Sequence, residues 1–184
     1  MANNSLQNGN NHGSLKILSL NVRGLRNGRK RRVLFHNFKN EKFDIICLQE
    51  TYLMKSDLPL IEKEWPFGVH ISEGSKKSKG LLTLFNKKID FSSCVIKYSS
   101  QRCLMSIVLF NNQHFTIANV YAPCISTEKA GFFDLITNVM KENISNEISH
   151  VFLMGDFNSV SNNTLDIISG DAHNSKIVTK FNNF

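Results

Sequence analysis

The 184-residue chain lacks the long apolar segments and the paired cysteines that define several large classes of protein. No apolar run approaches the roughly 18 residues of a membrane span, and the N-terminus has no signal-peptide core. The four cysteines are scattered without a C-x-x-C pair, and no histidine spacing suits zinc. We therefore expect an intracellular protein of a reducing compartment, nuclear or cytoplasmic, that is neither secreted nor bound in a membrane.

The first fourteen residues also have little that could be buried, because five of them are asparagine. We predict a disordered leader over residues 1–14 and one domain over residues 15–184. The formal net charge of +7 suits a polyanionic partner such as nucleic acid, but charge alone does not identify one.

Apolar runs predict a layered α/β domain. Strands are expected at Leu15–Leu20, Phe43–Leu48, Leu81–Phe85, Phe91–Tyr98, Cys103–Phe110, Phe115–Tyr121 and Val151–Met154. Two helices are expected, over Arg29–Lys42 with an apolar face at Val33, Leu34 and Phe38, and over Glu128–Asn143 with one at Phe132, Leu135, Ile136, Val139 and Met140.

Four of these strands end in polar residues that are capable of chemistry. The residues are Asn21, Glu50, Tyr121 and the pair Asp156 and Asn158. Because ligands of α/β sheets bind where strand ends converge, the four endings predict one site. Two carboxylates, two amides and a phenol, without a nucleophilic Ser or Cys beside a His, suit Mg²⁺ and phosphate chemistry.

Each of these residues also has a purely structural interpretation. Asn21 could begin a turn, and Glu50 could meet solvent at a strand end. Tyr121 could be an aromatic at the edge of the core, and Asp156 and Asn158 are ordinary turn formers. The residue types alone therefore indicate a candidate metal site and no more.

Four motifs favour the functional interpretation of these residues, because they occur in the order and approximate spacing of one superfamily. They are Leu20–Leu25, Leu48–Thr51, Asn119–Pro123 and Gly155–Asn158. The chain resembles the endonuclease/exonuclease/phosphatase superfamily, which includes exonuclease III, apurinic endonucleases and deoxyribonuclease I. It looks most like the apurinic-type endonuclease domain of LINE-class non-LTR retrotransposons, over Leu15 to about Asp166, including the Lys79-Gly80 step and Ser161–Asp166.

The resemblance implies a two-sheet α/β sandwich, like that of deoxyribonuclease I, whose metal-dependent site nicks DNA. Glu50 would bind Mg²⁺ or Mn²⁺ with Asn21 nearby, and Tyr121 would hydrogen-bond the scissile phosphate. Asp156 would activate water or assist the leaving oxygen, with Asn158 supporting the phosphate. Arg23 stands where some repair members of the superfamily carry an acid, which favours the retrotransposon branch.

The chain departs from the family pattern at its C-terminal end. An Asp-His pair should close the domain, and none precedes Phe184; His173 is expected in a loop. We therefore expect an incomplete domain that exposes apolar strands such as Cys103–Phe110 and is a weak or inactive nuclease by itself. A reverse transcriptase could follow in a full-length protein.

Two basic clusters could contact DNA phosphates next to such a site. The first contains Arg23, Arg26 and residues 29–32, and the second contains Lys76, Lys77 and Lys79. Without a nearby phosphodiesterase site, both would be interpreted as solvated surface.

Two further functions stay open. The chain could act on abasic sites or on small or lipid phosphates, as other members of the superfamily do. It could also be a catalytically dead remnant that at most binds nucleic acid.

Overall fold

Two four-stranded sheets, one with two helices on its outer face and the other with one, form the part of the chain that the computed structural model describes, residues 14–75, 78–144 and 150–159. In chain order the elements are β1 (Ile17–Asn21), α1 (Gly28–Asn40), β2 (Ile45–Gln49), α2 (Leu58–Glu64), β3 (Val69–Ser72), β4 (Leu81–Phe85), β5 (Val95–Ser100), β6 (Cys103–Phe110), β7 (Gln113–Tyr121), α3 (Ser126–Asn143) and β8 (His150–Asp156). The predicted leader falls almost entirely outside the described residues.

The strand order brings the predicted strand ends to one edge of the sandwich. The first sheet has the order β1-β2-β4-β3, and β1 runs parallel to β2 with Asn21 opposite Gln49. The second sheet has the order β5-β6-β7-β8, and β7 runs parallel to β8 with Tyr121 opposite Asp156. This architecture confirms the predicted two-sheet α/β sandwich.

Apolar side chains fill three layers between and outside the sheets. In β2, Ile46 and Leu48 pack towards α1 and α2, whereas Ile45 and Cys47 face the second sheet. Both faces of β2 are therefore covered, as its continuous apolar run predicts. On the other side, α3 packs Phe132, Phe133, Ile136 and Val139 against β6 and β7.

Several elements differ from the sequence prediction. Phe91–Ser93 forms a turn of 3₁₀ helix, and the strand begins only at Val95, because Asp90 caps that turn through the backbone of Ser92. Leu135 and Val33, expected on buried helix faces, are 46% and 54% exposed. The elements α2 and β3 were not predicted.

The expected exposure of Cys103–Phe110 is also wrong for the described residues. β6 pairs with β5 on one side and with β7 on the other, and most of its side chains are buried. The exposed apolar side chains lie instead on the outermost strands of this sheet, at Val95 and Ile96 on β5 and at Val151 and Phe152 on β8.

None of the helices in the described ranges has the length and apolarity needed to cross a membrane.

A buried amide pair joins the two sheets. Gln49 at the end of β2 donates from Nε2 to Oδ1 of Asn119 on β7 over 2.7 Å, and both residues are almost fully buried. The Asn119 amide in turn donates to the backbone oxygens of Leu48 and Leu82 over 3.3 and 3.2 Å. The pair therefore sets the distance and register between the sheets directly below Glu50 and Tyr121.

We expect Asn119→Leu to lower the free energy of unfolding by about 3 kcal/mol or more, because each buried group that loses its partner costs ~1–3 kcal/mol. Adding Gln49→Leu should cost less than the sum of the two single changes, since both polar partners are then gone. Urea unfolding measures both, with the exposed Asn37→Ala as control. Strictly additive losses would show that the amides do not act as a pair.

His70 on β3 is a second buried polar group. Its Nδ1 lies 2.8 Å from the Ser106 hydroxyl, and its ring packs between those of Phe85 and Phe91 at 5.1 Å from each centroid. Burial among these groups lowers the pKa of His70 to about 4.

Acid should destabilise the fold through His70. In the unfolded chain the pKa of histidine is about 6.5, so between pH 6.5 and 4 the unfolded state binds the proton more tightly. The contribution of neutral His70 to the free energy of unfolding is fully present above pH 6.5. It is lost as the pH falls, by up to about 1.4 kcal/mol per pH unit. In the parent chain and in the exposed control His36→Gln, the urea midpoint should be lower at pH 5 than at pH 6.5. In His70→Gln this difference between the two midpoints should become smaller. Equal pH dependence in His70→Gln and the parent chain would contradict the prediction.

Candidate active site

The ends of β1 and β2 bring an amide and a carboxylate into direct contact. Asn21 donates from Nδ2 to Oε1 of Glu50 over 2.9 Å, and its own Oδ1 accepts from the backbone N–H of Arg23. Tyr52 donates to the second Glu50 oxygen, Oε2, over 2.7 Å. Gly24 lets the Tyr52 ring approach, since a Cβ at this position would lie 2.9 Å from the ring. The carboxylate of Glu50 is thus fixed at both oxygens.

The end of β8 brings the second carboxylate to the same amide. Asn21 Nδ2 also donates to Oδ2 of Asp156 over 2.7 Å. The other oxygen of Asp156 accepts from the backbone N–H of Asn158 over 2.9 Å, and the Asn158 amide donates to the Ala122 carbonyl over 2.8 Å. One amide therefore holds two carboxylates from different sheets, and Asn21 itself lies 135 positions from Asp156 in the chain.

Tyr121 lies beside this group at the end of β7, with a cation on its ring. The guanidinium carbon of Arg102 lies 5.3 Å from the ring centroid, and Arg102 donates to the Tyr121 carbonyl over 3.2 Å. The hydroxyl lies 3.9 Å from the sulfur of Cys124. Burial, hydrogen bonding to Glu50 and the nearby thiol raise the pKa of Tyr121 well above its usual range. Its hydroxyl stays protonated and can donate.

The environment of Glu50 keeps its carboxylate ionised. Partial burial alone would raise the pKa of Glu50, but hydrogen bonds and a neighbouring charge outweigh it. These come from Asn21, Tyr52, Tyr121 and Arg23. The net effect lowers the pKa of Glu50, so the carboxylate is negative at neutral pH.

Unusual backbone conformations cluster around the site. Arg23, Glu50, Tyr52, Lys79 and Asn158 all have φ between 44° and 61°. This left-handed region is uncommon for residues other than glycine, and it is tolerated where surrounding contacts impose it. Hydrogen bonds from the backbone of Gly24 to Glu50, and from that of Tyr52 to Lys79, supply part of that constraint.

The predicted DNA-binding residues lie in different environments. Arg23 is exposed next to Asn21, whereas Lys79 is half-buried and donates to Gln101 over 3.2 Å. Lys76 and Lys77 lie outside the described residues. The structure thus leaves Arg23 open to solvent beside the two carboxylates.

One member of the first basic cluster is not available to DNA. Arg31 is 3% exposed, forms a two-point ion pair with Glu64 over 2.6 and 3.0 Å, and donates to the Leu25 carbonyl. It ties α1 to α2, which corrects its assignment as a phosphate contact. Its neighbours Lys30 and Arg26 also have partners within the protein, at the Val22 carbonyl and at Asp57.

Two cations near the site were missed by sequence reasoning. Arg102 lies at the hairpin between β5 and β6, and Lys129 on α3 is buried with its ammonium donating to the backbone carbonyl of Asn158. Lys129 thereby supports the turn that holds Asp156. A lysine three positions before Phe132 on the apolar face of a predicted helix was the only available signal for this burial.

The donor set fits a small, hard cation. One oxygen of Glu50 and one of Asp156 both lie within hydrogen-bond distance of the Asn21 amide nitrogen. Carboxylate oxygens are the ligands that Mg²⁺ and Mn²⁺ prefer. Within the described ranges no group of three or more His, Cys, Asp or Glu side chains surrounds a common point.

The chain is thus a two-sheet α/β sandwich that carries a cluster of hydrogen-bonded carboxylates at its strand ends. The model of the endonuclease/exonuclease/phosphatase family matches residues 18–166. The chain belongs to this family, as its four motifs predict.

Several known proteins are similar to the chain. A 149 kDa transposon TX1 protein of Xenopus laevis, otherwise uncharacterized, is 28% identical over 148 residues, which are 79% of this chain but 11% of that protein. The chain thus spans about a tenth of this relative's length.

Solved structures share the fold. The endonuclease domain of TRAS1, a telomere-specific non-LTR retrotransposon, superposes with a TM-score of 0.62 at 13% identity, over 92% of this chain and 70% of that one. An AP endonuclease from Archaeoglobus fulgidus superposes with a TM-score of 0.60 at 19% identity, over 81% and 59%.

Gly155 is required for β8 to deliver Asp156 to the site. A Cβ at this position would lie 1.9 Å from the Val120 carbonyl oxygen on β7, so Gly155→Ala must separate the two strands. We expect a loss of about 2 kcal/mol or more in the free energy of unfolding.

Gly131 on α3 provides the matched control, because a Cβ there meets nothing within 4 Å. Gly131→Ala should stabilise the chain by about 0.5–1 kcal/mol through its higher helix propensity. Thermal and urea unfolding measure both changes. Equal stability of the two variants would contradict the strand-contact argument.

Proposed function

We propose that the chain is a divalent-metal-dependent phosphodiesterase that nicks DNA, of the type found in LINE-class non-LTR retrotransposons. The observation that supports it most is the convergence of Glu50 and Asp156 on the Asn21 amide. Membership of the family and the similarity to a transposon protein add to it.

The metal would be Mg²⁺ or Mn²⁺, held by Glu50 with Asn21 beside it. When bound, such an ion polarises a phosphoryl oxygen and neutralises the negative charge that builds up there. The lowered pKa of Glu50 supports this role, because only the ionised carboxylate binds a cation well.

The remaining residues would act on the phosphate and on water. Asp156 orients or deprotonates the attacking water or assists the leaving oxygen. Tyr121, kept protonated, donates to the scissile phosphate. The Asn158 amide uses one N–H on Ala122 and has a second with which to support the phosphate. Arg102, on the Tyr121 ring, adds positive charge nearby.

DNA is the proposed partner. Arg23 stands exposed beside the carboxylates and would contact a backbone phosphate next to the cleaved one. Contacts from Lys76, Lys77 and Lys79 stay a prediction. A reverse transcriptase in the same full-length protein is likewise proposed, by analogy with retrotransposon proteins.

We expect Glu50→Gln to remove the weak Mg²⁺-dependent nicking of supercoiled plasmid expected of this chain, a reduction of at least about 10²–10³-fold, because the site loses the charge that holds the cation. Gel assays with and without EDTA measure the rate. Glu62→Gln is the matched control, since Glu62 is exposed on α2. Undiminished nicking by Glu50→Gln would contradict the assignment of this cluster as the active site.

Other substrates separate the alternatives. Nicking confined to duplexes with an abasic site would indicate a repair nuclease, and release of phosphate from small or lipid phosphates would indicate a phosphatase. No nicking by the parent chain, with retained DNA binding, would favour the inactive remnant.

A further inference from the structure

A lysine-rich groove lies at the end of the sandwich opposite the candidate active site. Its volume is about 770 Å³. Asp44 in its wall directly precedes β2 and Glu50 directly follows it. The six residue steps between them place the two ends roughly 20 Å apart at ~3.3 Å per residue. Asn86, after β4, donates from its backbone to the Asp44 carbonyl, which places both residues at the same end. The groove therefore does not belong to the candidate active site.

The lining of this groove is strongly positive. Lys39, Lys42, Lys87 and Lys88 surround it, and all four are exposed. Its one carboxylate, Asp44, is buried, lies 3.3 Å from the Lys88 ammonium and accepts the backbone N–H of Lys16. The positive charge is therefore only partly balanced within the protein and favours an anionic ligand.

An exposed aromatic ring stands among the lysines. Phe67 is 36% exposed, and it packs edge-on against buried Trp65 with 5.8 Å between the ring centroids. The Lys39 ammonium lies 5.9 Å from the Phe67 ring centroid. Trp65 thus holds the ring in place while part of it stays accessible. Rings of this kind among cations stack the bases of single-stranded nucleic acid.

The groove has little means of reading base identity. Among the described residues its lining contains no arginine. The Asn86 amide is engaged, donating to the Phe43 carbonyl and accepting from the backbone of Lys87. Lysine binds phosphate as a point charge without the paired geometry that recognises base edges. Binding here is therefore independent of sequence.

We propose that this groove is a second nucleic-acid surface, which takes a single strand with its phosphates on the lysines and a base on Phe67. The surface goes beyond the proposed nuclease function and does not require it. DNA and RNA share the phosphate and base chemistry that the groove recognises, so either can supply the strand.

The test measures the affinity of the 184-residue chain for fluorescent dT12 and rU12 in EDTA, by anisotropy over a range of salt. Lys42→Gln with Lys87→Gln should lower the salt slope of log K by about 1.4, since each phosphate contact on a single strand contributes ~0.7. The described contacts of both lysines use only their backbone N–H groups and not their ammonium groups, so both changes should leave the thermal midpoint unaltered. Phe67→Leu should weaken binding about tenfold, whereas Phe67→Tyr should retain it.

The matched control is Lys97→Gln with Lys141→Gln, which removes the same charge from exposed positions on β5 and α3. Any strand bound at the candidate active site contributes equally to all variants and cancels. Equal slopes for the two double variants would overturn the proposal, because binding would then follow net charge alone. Displacement of dT12 and rU12 by polyglutamate at equal charge would also overturn it and indicate an acidic protein partner. A higher affinity for rU12 or for dT12 would identify the preferred strand.

Discussion

The hydrogen bond between Gln49 and Asn119 is the contact on which the site depends. It crosses the interior between the sheets, where an unpaired amide would be costly, so the sheets can pack only in the register that satisfies both side chains. Glu50 follows Gln49 directly, and Tyr121 lies two positions after Asn119 on the same face of β7. The pair thus fixes the carboxylate of one sheet relative to the phenol of the other.

Above this pair, the site is preorganised by neutral donors. Glu50 and Asp156 would repel each other as free carboxylates, and the Asn21 amide between them offsets that repulsion. Tyr52 donates to the other oxygen of Glu50, and the backbone N–H of Asn158 donates to the other oxygen of Asp156. The left-handed backbone at Glu50 and Asn158 belongs to the same arrangement.

The two basic regions of the surface differ in what surrounds them. Arg31, in the most basic stretch of the sequence, is consumed by Glu64 and the Leu25 carbonyl and serves to join two helices. The lysines around Phe67 are separated in sequence, between Lys39 and Lys88, and only the antiparallel pairing of β2 with β4 gathers them. Basic residues that are adjacent in sequence thus need not form a basic surface. Some of them form ion pairs inside the protein, and strand pairing brings together others that are distant in sequence.

The sequence by itself determined the layered α/β class, the covered strand β2 and the four motif endings, since these follow from local periodicity and from family motifs with fixed spacing. It did not predict β3, whose short run is interrupted by His70, nor the burial of Lys129, nor the exposure of Leu135, which depend on what packs against each face. That Asn21 would join Glu50 to Asp156 was beyond any local pattern. Only the tertiary structure decided it, because contacts across 135 positions exist only once both sheets have packed.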